Sequence, residues 1–310
     1  MTTQSPRLAP DPRLRGAFTA IVTPWTEGGR SIDHDRLRAQ VEFQARGEDG
    51  RGGVRGIVVS GTTGESPTLE HDEYAALVRA AVAIAKPLGL IVIAGTGSNS
   101  TAHAVALQKQ AAALGADYAL SVNPYYNKPT QEGLYRHFAT QADASGLGVM
   151  LYNIPGRTGV ALAPETVARL AAHPRVVSVK EATGSTDSCG EIAWRCPGLA
   201  VLSGDDSMTL PFMSVGAVGV VSVASNLLPG ATQRMVDDYL AGRHSAALET
   251  HRRMIGLIKA LFHETNPIPV KAAMRLLGRD NGQLRLPMTE ASEATITKLR
   301  QALEPAGLRA

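Results

Sequence analysis

Cysteine is nearly absent: the 310 residues contain only Cys189 and Cys196. Two are too few for a disulfide framework, and their spacing fits no zinc pattern. Both are expected as reduced thiols in a cytoplasmic protein. No run of about 18 apolar residues occurs, so no membrane span is expected. A surplus of one charge is also missing. Thirty-one Lys and Arg stand against 28 Asp and Glu, a net charge of +3. That balance gives no grounds for a nucleic-acid or membrane partner. The first residues, Met1 to Pro12, lack the apolar core of a secretory signal and are expected to form a loose tail.

What is present is a large apolar fraction, 44% of the chain, enough for a sizeable core. Short runs rich in Val, Ile and Ala recur, each closed by Gly, Pro, Asn or Asp. They predict eight strands: Phe18 to Pro24, Gly56 to Gly61, Leu90 to Gly95, Tyr118 to Pro124, Gly148 to Pro155, Val176 to Lys180, Ala200 to Gly204 and Gly219 to Ser225. Near-continuous apolar runs such as GIVVSG and LIVIAG suit strands buried on both faces, as in a parallel sheet.

Helical patterns separate the strands. In the stretch from Leu69, Thr68 is the expected cap, followed by acidic Glu70, Asp72 and Glu73. In the stretch from Thr101, residues Val105, Leu107, Ala111, Ala112 and Leu114 mark the expected inner face, with Gly115 as the stop. Eight regular alternations favour a closed (β/α)₈ TIM barrel over an open doubly wound sheet. One domain is expected over 1–310, with the barrel at about 16–240 and a helical extension at about 241–310. The Gly-rich stretch Arg46 to Arg55 would lie on the face away from the chemistry, and no function is assigned to it.

In this fold the chemistry sits at the C-terminal ends of the strands. Those ends read TP, GTTGES, GTGSN, NPYYNKP, YNIPGRTG, KEATG, SGDDS and SN, all more polar than the strands before them. Lys180 closes an apolar run. Burial there would favour the neutral amine, the nucleophile needed against a carbonyl. Position alone would equally allow a lysine that reaches out to water. Gly61 to Ser66 has the make-up of a loop that offers N–H groups and hydroxyls to a carboxylate, though an ordinary turn reads the same way. Tyr152 can shuttle protons or simply be a core aromatic. Arg157 can clamp a carboxylate or form a surface ion pair. Tyr125 and Tyr126 are adjacent, so they cannot share one face.

Taken together, FTAIVTP, GTTGES, AGTGSN, NPYYNKPTQEGLYRHF, YNIPGRTG, KEATG, LSGDD, NPIPVK and LRLPM resemble the dihydrodipicolinate synthase and N-acetylneuraminate lyase family of lysine-dependent aldolases, from Phe18 to Met288. The resemblance implies that Lys180 forms a Schiff base with pyruvate, with Tyr152, Thr62 and Tyr126 relaying protons. It gives Thr63 to the pyruvate carboxylate and Arg157 to the carboxylate of aspartate semialdehyde, with Gly204 and Val221 lining the pocket. It further implies that Tyr126 works in a neighbouring subunit's site, within a homotetramer built as a dimer of dimers. No cofactor or metal is called for, and the eight histidines form no HExxH or other ligand cluster.

Two rivals remain open on this reading. One is a sister aldolase acting on another aldehyde or sugar acid, which Arg157 disfavours. The other is a non-catalytic keto-acid sensor, which the filled catalytic positions disfavour. The resemblance also places Ser66, His71, Tyr74, Asn99, His103 and Tyr125 at a regulatory lysine site. The lysine-sensitive pattern has histidine in place of Tyr74 and glutamate in place of His103. Loss of that carboxylate leads us to expect weak or absent inhibition by lysine.

Overall fold

The computed structural model describes residues 9–309. Among them, eight strands pair in chain order into a closed parallel barrel, the expected (β/α)₈ fold. The strands are β1 (Gly16–Ala20), β2 (Gly56–Val59), β3 (Ile91–Gly95), β4 (Tyr118–Val122), β5 (Gly148–Asn153), β6 (Val176–Glu181), β7 (Ala200–Ser203) and β8 (Gly219–Ser222). Most of their residues are buried, as expected of strands covered on both sides.

Most strands are shorter than the apolar runs that announce them. β1 starts at Gly16 and ends at Ala20, yet Ile21 and Val22 stay buried beyond the ladder. Hydrophobicity therefore reads on past the strand. β2 stops because Ser60 turns into the left-handed region at φ 56°. β8 stops at Ser222, and Ala224–Asn226 form a 3₁₀ turn. β6 departs the other way and takes in the buried Glu181.

The described residues group into two compact units, 93–221 with 9–16, and 17–92 with 222–309. Part of the expected loose tail, residues 1–8, lies outside the described residues. Asp11 and Pro12, however, are ordered. Asp11 caps the 3₁₀ turn Pro12–Leu14 and accepts a 2.6 Å hydrogen bond from the Tyr118 hydroxyl. In the same unit, Ser100 caps the helix Thr101–Ala113. The buried positions of that helix are Ala104, Gln108 and Ala111. Of the expected inner face only Ala111 is fully buried, because Gln108 turns inward to donate to Gln141 O at 2.8 Å and Ser145 Oγ at 3.0 Å. A glutamine whose amide nitrogen is bonded twice thus takes a place that polarity alone would put outside.

In the second unit, the helix His71–Ala85 is capped by Glu70, not Thr68. Glu70 and Glu73 form a reciprocal capping box, while Thr68 belongs to the 3₁₀ turn Ser66–Thr68. Beyond residue 241, the helices His244–Leu261, Ile268–Leu276 and Glu293–Leu303 share one apolar cluster built on Met254, Leu257, Ile258, Val270, Leu299 and Leu303. No helix among the described residues is long and apolar enough to cross a membrane.

The stretch Arg46 to Arg55 has a structural job. The helix Pro229–Leu240 has Leu228 at its cap position, which offers no side-chain acceptor. Glu48 supplies one from the loop, accepting from Gly230 N at 2.6 Å and Ala231 N at 2.8 Å. Its charge also suits the positive end of the helix. The loop turns tightly at Gly53, where a Cβ would lie 1.7 Å from Gln44 O. Glu48→Ala should therefore lower the unfolding free energy by about 1–2 kcal/mol, read as a lower urea midpoint, while leaving catalysis intact.

Candidate active site

Lys180 sits at the penultimate position of β6 and is 6% exposed. Parallel pairing of β5 and β6 puts Tyr152 directly beside it in register. The Lys180 ammonium position lies 4.2 Å from the centroid of the Tyr152 ring. Gly204, just past β7, has to be small: a Cβ there would come within 3.1 Å of Lys180 Cε and Cγ and 2.7 Å of Ala182 Cβ. The glycine leaves the amine its room.

Burial is the main influence on this lysine and lowers it to about 7. Asp206 opposes the shift, and the positive charge of Arg157 adds to it. The site thus keeps a primary amine substantially neutral near pH 7, the form that attacks a carbonyl. Asp206 is buried in the SGDDS loop, and no role was assigned to it from the sequence. The polar run after β7 was the available signal. Val221, on β8, is 1% exposed.

Arg157 lies on the short helical turn Pro155–Thr158 and is exposed to solvent. Tyr125 and Tyr126 follow β4, and Tyr126 is 90% exposed on a left-handed backbone at φ 73°. A bulky residue held there is uncommon, and the turn is secured by Asn127 Nδ2 donating to Asn99 O at 2.9 Å. His103 stands exposed on its helix, with Nδ1 3.5 Å from Ser98 Oγ.

In the second unit the loop Gly61 to Ser66 is built around a buried charge. Thr62 is half-buried, and Thr63 is buried with its hydroxyl oxygen accepting from Asn266 Nδ2 at 2.9 Å. Glu65 adopts the left-handed region at φ 54°. Its carboxylate accepts from Trp25 Nε1 at 2.9 Å, Lys271 Nζ at 2.8 Å and Arg285 N at 3.0 Å. Lys271 is fully buried and also donates to Thr23 O at 2.8 Å. Burial lowers its proton affinity, and Glu65 works against that.

Arg285 lies 3.7 Å over the Trp25 ring and grips both oxygens of Glu73 at 2.6 Å. None of Trp25, Glu65, Asn266, Lys271 and Arg285 was singled out from the sequence. The motifs NPIPVK and LRLPM were the signal, above all a lysine amid the apolar residues of PVKAAM. Ser66, His71 and Tyr74 lie on the segment that follows. Tyr74 is buried, burial pushes its phenol up, and its hydroxyl has no partner among the described residues.

The comparisons with known proteins bear on this arrangement. The model of the dihydrodipicolinate synthetase family matches residues 13–306. A 4-hydroxy-tetrahydrodipicolinate synthase of Leptospira biflexa is 49% identical over 287 residues, covering 92% of this chain and 95% of that protein. The crystal structure of dihydrodipicolinate synthase from Aquifex aeolicus superposes with a TM-score of 0.89 at 43% identity, covering 95% of this chain and 98% of that one. The enzyme from Cyanidioschyzon merolae, solved with lysine bound, gives 0.92 at 42% identity, covering 96% and 99%.

The buried pair gives a direct test. Lys271→Met leaves the Glu65 carboxylate buried without its cation and should cost about 3–5 kcal/mol of stability. Adding Glu65→Gln should recover part of that loss in the same urea titration, because the charge itself is then gone.

Proposed function

We infer, for a chain that belongs to the dihydrodipicolinate synthetase family, a 4-hydroxy-tetrahydrodipicolinate synthase: a lyase that condenses pyruvate with L-aspartate 4-semialdehyde on the diaminopimelate route to lysine. The observation that carries this reading is a buried lysine, tuned to about 7 and lying against a tyrosine ring, in a chain so close to enzymes of that name.

The neutral Lys180 amine attacks the keto carbon of pyruvate, and the carbinolamine loses water to give an imine. Loss of a methyl proton turns the imine into an enamine. Its terminal carbon attacks the aldehyde carbon of aspartate semialdehyde, whose oxygen takes up a proton and becomes a hydroxyl. The amine of that substrate then displaces Lys180 and closes the ring. One water leaves overall, and the lysine is returned.

The Tyr152 ring lies 4.2 Å from the Lys180 amine, which supports the reading that its phenol passes protons to and from the carbinolamine. The family pattern gives Thr62 and Tyr126 to the same relay and Thr63 to the pyruvate carboxylate. Arg157 supplies the charge for the second substrate's carboxylate and so favours this reading over a sister aldolase acting on a neutral sugar. The protonated imine is the electron sink, so the scheme needs no metal or cofactor. The exposed Tyr126 fits a site completed by another copy, and we propose the homotetramer on that ground together with the family pattern.

Four measurements test this. Borohydride reduction with pyruvate should add a stable mass to the Lys180 peptide, and an unmodified peptide at saturating pyruvate would overturn the assignment. The trapping rate at low pyruvate should rise with pH and level off above about 7, because only the neutral amine attacks and its fraction falls tenfold per unit below that point. Arg157→Ala should cut kcat/KM for aspartate semialdehyde by about ten- to hundredfold while sparing the pyruvate adduct. Millimolar lysine should inhibit weakly or not at all, since the lysine-sensitive family pattern has a carboxylate in place of His103. Strong inhibition would refute that proposal.

A further inference from the structure

Strand residues alternate between faces, so the neighbours of the reacting side chains point the other way. Behind Tyr152 is Asn153, and behind Lys180 is Glu181, paired with each other in register. Asn123, just after β4, joins them. All three are fully buried. Asn123 Nδ2 donates to Asn153 Oδ1 at 3.3 Å, and Asn153 Nδ2 donates to Glu181 Oε2 at 3.0 Å. Glu181 Oε1 accepts from Thr183 N at 2.9 Å.

This polar chain has branches that all reach one segment. Asn153 Oδ1 accepts from Leu162 N at 2.9 Å, and Asn153 Nδ2 donates to Leu162 O at 3.1 Å. Asn123 Nδ2 donates to Val160 O at 3.1 Å. The segment closed at its base by these bonds runs from Ile154 to Leu162 and carries Arg157. Burying a carboxylate behind a strand is unfavourable, and burial does raise the proton affinity of Glu181 against the bonds from Thr183 and Asn153. Apolar residues would fill the same space without that cost. They would not tie the ends of the turn to the strand that bears the nucleophile.

We propose that Asn153 and Glu181 are positioning residues for the second substrate, fixing the turn that presents Arg157 relative to Lys180. The inference rests on the synthase reading above. It assigns specificity for the dicarboxylate partner to buried groups that touch neither substrate. Pyruvate capture depends on Lys180 and its own pocket, so it is little affected by them.

The test is steady-state kinetics on the full-length Glu181→Gln enzyme. A glutamine amide cannot accept from both Asn153 and Thr183, so one anchor is lost at constant shape. KM for aspartate semialdehyde should rise about tenfold, with the pyruvate KM and the borohydride-trapped adduct within about twofold of the parent. In an Arg157→Ala background the same substitution should change little, because its effect passes through the arginine. Thr183→Val keeps the backbone N–H bond to Glu181 but removes the hydrogen bond that the Thr183 side chain also gives it, so it should shift the same KM in the same direction by a smaller factor, and it serves if Glu181→Gln does not fold. The proposal is overturned by an unchanged KM for the semialdehyde, by equal losses for both substrates, or by a full effect of Glu181→Gln without Arg157. A parent enzyme that traps pyruvate but does not turn over aspartate semialdehyde would instead strike the synthase reading itself.

Discussion

A primary amine is neutral near pH 7 only where water is kept from it and no carboxylate holds its proton. That requirement governs the strand bearing Lys180. The residue is buried, given room by Gly204, and lies against a tyrosine ring, with Asp206 offsetting the burial only in part. Lys271 is the counterexample within the same chain. It is just as deeply buried, but its amine lies 2.8 Å from Glu65 and donates to a backbone carbonyl as well. For one lysine burial outweighs the pull of Asp206, which suits the chemistry proposed for it. The other is matched in charge and holds a loop in shape. Burial alone does not tell them apart; the partner does.

The same division runs through the polar groups around the site. The face of β5 and β6 that carries Tyr152 and Lys180 is the one proposed to perform the reaction, and the opposite face carries Asn153 and Glu181, which bond to the backbone of Leu162 and Thr183. Each strand end therefore serves twice. On the positioning role proposed for Asn153 and Glu181, a substitution on the rear face would shift the front without touching a substrate, because adjacent side chains share one backbone.

How much of this could be read beforehand depended on the range of the interaction. Strand identity and order came from apolar runs, which are local, while Lys180, Tyr152 and Arg157 were candidates by their places at the strand ends and received roles only from the resemblance of the surrounding motifs. Strand ends were harder to place, because Ile21, whose N–H still donates to Val58 O at 3.1 Å, and Val22 stay buried past the last residue of β1. The helix cap at Glu70 was missed in favour of Thr68, although both the acceptor and its partner Glu73 were in view. Glu48 with Gly230, Asn266 with Thr63, and Lys271 with Glu65 lie 182, 203 and 206 positions apart. Such pairs leave no periodicity, so composition and spacing say nothing of them.

That last separation has a consequence for the chain as it is made. Glu65 leaves the ribosome 206 residues ahead of Lys271, an interval of roughly 10–40 s at ordinary rates of synthesis. Throughout that time the loop holding Thr62 and Thr63 has its carboxylate but not its counterion, and Thr63 lacks the amide of Asn266. The barrel strands can all be in place while this loop is still unfinished. A nascent chain that already carries every side chain proposed for catalysis therefore still lacks Asn266 and Lys271, the partners that hold this loop.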